Sequence, residues 1–303
     1  MAERVLPKRS LGLVENISKF SLQFLSRFTE REVKHLHKIA SGMGDEAVSV
    51  LISLNLYPLG LVNWESMEVI SSVGPRRPVL LIHGYFHNNS VFYVMRRRLQ
   101  REGWKHVYRI NLKTYAAGVD ECAQEIAKKV QAIKEATKSD RVDLIGHSFG
   151  GLCSRYYVQA LGGDAHVGRL ITVGTPHAGT RLSYFGFGPA NLDMQPGSEI
   201  LRELNQELPL PEAVEFTNIW SPFDYMVNPI ESAIMEGRVR NVKIDFTGHL
   251  GLLFSRHVFN EIFLSLSSDT IHRKIANAKP QPIAVQPQDN VEESSVVFFP
   301  KSN

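Results

Sequence analysis

Six short apolar runs, alternating with stretches of helical periodicity, constrain this chain more than any other feature. The runs are Pro78-Val-Leu-Leu-Ile82, His106 to Leu112, Val142 to Ile145, Leu170 to Val173, Phe216 to Trp220 and Val239 to Phe246. The first is apolar along its length and bounded by a proline and by His83-Gly84, the pattern of a strand covered on both faces. Between the runs, Val119, Cys122, Ile126, Val130 and Ile133 recur at helical spacing, and so do the apolar residues from Leu252 to Leu266. Strand and helix in alternation predict a parallel, doubly wound α/β sheet with helices on both faces.

At 303 residues and 43% hydrophobic content, the chain can bury one large core. The alternating pattern fills residues 66–274. Before it, Leu13, Ile17, Phe20, Phe24 and Phe28 form an apolar stripe with Lys19, Arg27 and Arg31 off it, so residues 1–65 read as a helical N-terminal extension. Such a basic amphipathic helix suits packing on its own domain or a partner, or a peripheral contact with a membrane. The most apolar segment, Ala47 to Val62, is interrupted by Ser49, Ser53, Asn55 and Pro58 and falls short of the roughly 20 residues a membrane span needs. Charged residues also break up the first thirty positions, so no secretory signal is read and a cytoplasmic protein, free or membrane-associated, is expected. The strand order is interrupted at residues 178–211 by a stretch rich in Gly, Pro, Phe and Leu, which reads as a cap or lid. Residues 275–303 turn to Pro, Gln, Glu and Ser and read as a flexible tail. The 34 basic and 31 acidic residues are mixed along the chain, which argues against a nucleic-acid partner. Cys122 and Cys153 both fall on core-facing helical positions and are expected as free thiols.

Gly146-His-Ser-Phe-Gly150 stands between the apolar run Val142 to Ile145 and a helical pattern. A strand, a sharp turn and a helix in that order would present the Ser148 hydroxyl above the strand end, with glycines where the turn leaves no room for side chains. The helix starting at Phe149 would point its positive end at the same place. These are the parts of a nucleophilic serine.

A serine hydroxyl needs a base, and the base needs an orienting carboxylate. Of His166, His177, His249, His257 and His272, only His249 falls in a turn after the last strand, in Thr247-Gly-His-Leu-Gly251. His257 lies within the following helix and His272 beyond it. Asp224, in Ser221-Pro-Phe-Asp-Tyr225 after the fifth apolar run, is the carboxylate at a strand's carboxyl end; Asp245 and Asp193 are the weaker alternatives. Backbone amides of Tyr85, in the loop after the first strand, and of Phe149 would bind an oxyanion. Phe86, Phe92, Tyr184, Phe185, Phe187 and Tyr225 are candidates for an apolar acyl pocket.

With Gly146-His-Ser-Phe-Gly150, His83-Gly84, Val173-Gly-Thr-Pro-His-Ala-Gly-Thr180 and Gly248-His-Leu-Gly-Leu252, the chain resembles bacterial lipases and GPI-inositol-deacylase-like esterases of the α/β-hydrolase superfamily, over roughly residues 75–270. The resemblance implies the α/β-hydrolase fold and hydrolysis of acyl esters. Ser148, Asp224 and His249 would stand at the triad positions, and Tyr85 and Phe149 at the oxyanion positions. Secreted relatives hold calcium near the histidine through aspartates; here Leu250 and Gly251 follow His249, so neither a metal nor another cofactor is expected. The expected substrate is a short to medium acyl ester, as a small molecule or a lipid. The alternatives are a membrane-surface phospholipase or acyltransferase, and a binding protein that keeps the fold without catalysis.

Overall fold

A computed structural model describes residues 30–60 and 76–277. The amphipathic stripe from Leu13 to Phe28, the segment 61–75 and the tail from 278 lie outside the described residues. The six apolar runs form one sheet. Its strands are β1 (Val79–Ile82), β2 (Val107–Ile110), β3 (Val142–His147), β4 (Val167–Val173), β5 (Glu215–Trp220) and β6 (Val239–Lys243). All neighbours pair in parallel, in the order β2-β1-β3-β4-β5-β6.

Side chains alternate across this sheet and so build two apolar layers. On β1, Leu80 and Ile82 face one layer, while Val79 and Leu81 face the other. The first layer is closed by α3 (Val119–Thr137) and α4 (Phe149–Ala160), the second by α2 (Tyr93–Arg101) and by Val258, Ile262 and Leu266 of α5 (Arg256–Asn277). Helix α3 buries the periodic residues Val119, Cys122, Ile126, Val130 and Ile133. Its start is fixed by two carboxylates: Glu121 accepts from the Gly118 amide at 2.9 Å and Asp193 from the Val119 amide at 2.7 Å. Cys122 and Cys153 are buried free thiols.

Helix α1 (Glu30–Leu56) leads into a 3₁₀ turn at Tyr57–Gly60 that is tied to the sheet region. Asn88 donates to the Tyr57 carbonyl and Asn111 to that of Gly60. Contacts group the chain up to Leu266 as one unit, and a second unit begins at Ser267, of which only the end of α5 is described. Among the described residues, no helix is long and apolar enough to cross a membrane.

Three elements differ from the sequence expectation. Strand β6 ends at Lys243 rather than Phe246, because Phe246 takes a left-handed φ of 56° that turns the chain away from the sheet. The helix expected from Leu252 is two: Gly251–Phe254, then α5, with Ser255 extended at ψ 134° and its hydroxyl accepting from the Val258 amide. Phe92, a candidate pocket residue, is wholly buried in the second apolar layer and has no surface for a ligand.

Strand order reverses between β1 and β3, since β2 lies on one side of β1 while β3 to β6 continue on the other. In open parallel sheets this switch point opens a crevice at the carboxyl ends of the strands. A buried ion pair stands within the sheet: Asp143 on β3 contacts Arg169 at 3.1 Å, both almost without exposure, and Arg77 at 3.3 Å. Burial raises the Asp143 pKa, against the opposing pull of the two guanidinium groups. Asp143→Ala would take from the buried Arg169 its buried carboxylate, leaving the exposed Glu215 carboxylate 3.3 Å away, and should lower unfolding free energy by about 1.5–3 kcal/mol in urea titration.

Candidate active site

The turn from β3 into α4 holds Ser148 at φ 54° and ψ −125°, a conformation rarely adopted by a residue with a side chain. Close packing maintains it. A Cβ on Gly150 would collide with the carbonyl oxygens of His83 and Ile82, and one on Gly146 would meet the Gly150 carbonyl and the Gly151 Cα at 2.7 Å. On the facing loop, a Cβ on Gly84 would come within 2.9 Å of the Ser148 Cβ. The β1 loop and the serine turn are thus pressed together across the switch point. The Ser148 amide donates to the Val173 carbonyl at 2.9 Å, which fixes the turn from the β4 side. Ser148 is half-buried, and among the described residues its Oγ makes no hydrogen bond.

Asp224 and His249 are brought together. His249 Nδ1 lies 2.7 Å from Asp224 Oδ2. The other oxygen, Oδ1, accepts from the Met226 and Val227 amides at 2.9 and 3.3 Å, so the buried carboxylate cannot swing away. Nδ1–H donates to the carboxylate, which leaves Nε2 as the ring's acceptor. Burial depresses the pKa of His249, but the charge and hydrogen bond of Asp224, with the charge of Glu46, outweigh it, and the net shift is upward from 6.5.

Three more histidines crowd this site. His147, beside the serine, lies against the His249 ring with centroids 4.6 Å apart and the planes tilted by 48°, and its Nε2–H donates to the His249 carbonyl at 3.2 Å. Among the described residues its Nδ1 is buried without a hydrogen-bond partner. Burial first, then the charges of its histidine neighbours, hold its pKa well below the ordinary value. His87 is pushed down to about 4 by burial and by His249. His83 is likewise lowered to about 4, chiefly by burial. Its Nε2 accepts from the Leu112 amide at 3.0 Å, which puts the proton on Nδ1, 2.9 Å from the Gly84 carbonyl. It clips the β1 loop to the end of β2.

Tyr85 and Phe149 flank Ser148 on the two sides of the crevice. The Phe149 amide opens α4, where no intrahelical acceptor exists, and among the described residues neither amide donates a hydrogen bond. Both remain available to an oxyanion. Residues 178–211 form a series of short helical turns, Arg181–Phe185, Pro189–Asp193, Glu199–Arg202 and Glu203–Glu207. This segment reaches the β1 loop, where Tyr85 Oη donates to the Phe187 carbonyl at 2.6 Å and the Phe86 and Phe187 rings meet edge to face at 5.1 Å. Phe185 is 88% exposed, Tyr225 71%, Phe187 65% and Tyr184 57%, so these candidates keep apolar surface open to a ligand.

The alternatives take other duties. Asp193 caps α3, Asp245 pairs with Lys243 at 3.1 Å, and His257 is exposed on α5. In Thr175-Pro-His-Ala-Gly-Thr180, His177 is buried among Arg155, Thr172 and Asn218, and burial and Arg155 drive its pKa far down. Thr180 Oγ1 donates to the Met226 carbonyl and accepts from the Asn228 amide, which fastens the cap entrance to the Asp224 loop. That segment is therefore a brace. Sequence reading missed Gly174, whose φ of 57° and bare Cα let the Asp224 carboxylate and His249 ring pack against it. Glu46, a half-buried residue of α1, was missed too: its Oε1 and Oε2 accept from the Leu250 and Gly251 amides at 2.9 and 2.7 Å. A carboxylate so distant in sequence carries no motif that could mark it.

Residues 78–207 match the family model of palmitoyl protein thioesterase. Over 118 residues the chain is 35% identical to a triacylglycerol lipase of Pseudarthrobacter phenanthrenivorans, a stretch that is 36% of either protein. It is likewise 35% identical to one of Burkholderia plantarii, over 36% of this chain and 32% of that one. The chain thus matches about a third of the length of these curated relatives. Among solved structures it is similar to the mature lipase BlEst2 of Bacillus licheniformis, with a TM-score of 0.58 and 17% identity over 64% of this chain and 94% of that one. Aspergillus fumigatus lipase B is similar with a TM-score of 0.57 and 19% identity, over 63% and 52% of the two chains.

Two backbone oxygens leave no room at Gly150. Gly150→Ala should destabilise the fold by about 1–3 kcal/mol or more, measured as a lowered urea midpoint, because backbone rather than a flexible side-chain end must give way.

Proposed function

Taking the α/β-hydrolase fold as premise, we propose that this chain is a serine carboxylic ester hydrolase, an esterase or lipase, working through an acyl-enzyme. The observation that carries the reading is the 2.7 Å pairing of His249 with a fixed, buried Asp224, in the loop whose carbonyl is tied to the residue beside a strained, accessible Ser148. In the reaction, Ser148 Oγ attacks the ester carbonyl carbon while His249 Nε2 takes the hydroxyl proton. The amides of Tyr85 and Phe149 bind the oxyanion of the tetrahedral intermediate. Collapse breaks the bond to the alcohol oxygen, which leaves with the proton from His249. Water, deprotonated by the same imidazole, then attacks the acyl-serine, and its collapse releases the acid and restores Ser148.

The exposed rings of Phe86, Tyr184, Phe185, Phe187 and Tyr225 support an apolar acyl group as substrate. The likeness to named lipases supports an oxygen ester, and the family match over residues 78–207 favours a second reading, a fatty acyl thioester. The same serine chemistry serves both. The ratio of kcat/KM for an oxygen ester and a thioester of one acyl chain, followed over increasing chain length, separates them.

Ser148→Ala should cut p-nitrophenyl ester turnover by about four orders of magnitude or more while the melting curve stays cooperative. Undiminished turnover would refute the assignment. For the wild type, the base must be neutral, and its pKa is raised above 6.5. Activity should therefore fall as pH drops, with the acid limb of kcat/KM centred above 6.5. Linkage has the opposite sense: the stabilisation of the imidazolium by Asp224 is complete below 6.5 and is lost as pH rises through the raised value. Asp224→Asn removes the charge that offsets burial, so any residual activity should show its acid limb displaced downward.

A further inference from the structure

We propose that Glu46, on helix α1, is a positioning residue of the active site, which holds the His249 loop in register through the Leu250 and Gly251 amides. The inference rests on the hydrolase reading above and extends the site to a helix outside the alternating strands and helices of the catalytic core.

The geometry is specific. His249 is held at three points: its ring by Asp224, its carbonyl by His147, and the two amides that follow it by the two oxygens of Glu46. Those amides have no strand partner, because Phe246 has already turned the chain off the sheet edge. The carboxylate is a charged acceptor for two donors at once, which is stronger than the hydrogen bonds a neutral group could make there. The backbones are in close register around it. A Cβ on Gly42 would strike the Phe246 carbonyl oxygen, and one on Gly248 would strike Glu46 Oε2. A cavity of about 170 Å³ lies between Gly42, Met43 and Glu46 of α1 and Phe223, Tyr225, Phe246 and Gly248, so the Glu46 carboxylate stands at a mostly apolar seam.

Charge gives the same carboxylate a second effect. The groups facing the His249 ring are Asp224 from the loop after β5, Glu46 from α1, His147 from β3 and His87 from the β1 loop. The two carboxylates favour the imidazolium that forms as Ser148 is deprotonated, and the two histidines stay neutral. Removing Glu46 should therefore loosen the loop and lower the imidazole's proton affinity together, whereas a merely structural contact would alter only the melting temperature.

The test uses the full chain with Glu46→Gln, Glu46→Ala and, as a control, Asp45→Asn, an exposed neighbour on the same helix. Glu46→Gln keeps one acceptor oxygen and should lower kcat about tenfold. Glu46→Ala should lower it about a hundredfold, with KM within about twofold and Asp45→Asn at wild-type rate. NMR titration of the His249 imidazole is the readout independent of turnover: its pKa should fall in Glu46→Gln. Unchanged kcat and an unchanged imidazole titration in a folded Glu46→Gln protein would overturn the proposal. If the native protein cleaves no ester, the hydrolase reading fails, while the titration still decides whether Glu46 acts on His249.

Discussion

The contact on which the structure turns is the near-touching of two backbone segments at the switch point of the sheet. The β1 loop and the β3–α4 turn meet with Gly84 and Gly150 at the contact, while Gly146 lets the turn close on the start of its own helix, each lacking a side chain for which no space exists. Ser148 is strained because the glycines let its neighbours close in, and the strain is held by that packing together with the hydrogen bond from its amide to the Val173 carbonyl. Both candidate oxyanion donors, Tyr85 and Phe149, come from those same two segments. One steric constraint thus places the proposed nucleophile and both proposed anion donors at once.

Electrostatics around His249 follows from a second constraint, the burial of several titratable groups in one place. Burial alone would keep every histidine here neutral, and it does so for His83, His87 and His147. His249 differs because Asp224 touches it and Glu46 lies near. The result is a single imidazole with raised proton affinity among neutral ones, a division of roles created by carboxylate placement rather than by residue type.

Much of this was legible in the sequence, for physical reasons. A strand covered on both faces must be mostly apolar, so the central runs of β1, β3 and β4 declared themselves, and Gly146-His-Ser-Phe-Gly150 declared its turn through the spacing of its glycines. His249 and Asp224 were found by their place after strands. Periodicity could not show where β6 stops, because the chain leaves the sheet through a left-handed turn at Phe246, where helix α1 packs closely at Gly42 and apolarity continues past the strand. It could not separate Phe92 from the exposed aromatic rings, since apolarity marks core and pocket alike. Nor could it pair Glu46 with residues two hundred positions away, for a single exposed-looking helix carboxylate has no local signature.

The most direct measurement of the central claim is covalent labelling by a fluorophosphonate, which reacts with a serine only when its hydroxyl is activated. Mass spectrometry of the digested protein should find one adduct per chain, on the peptide carrying Ser148. An unlabelled chain, or a label on a different serine, would contradict the account.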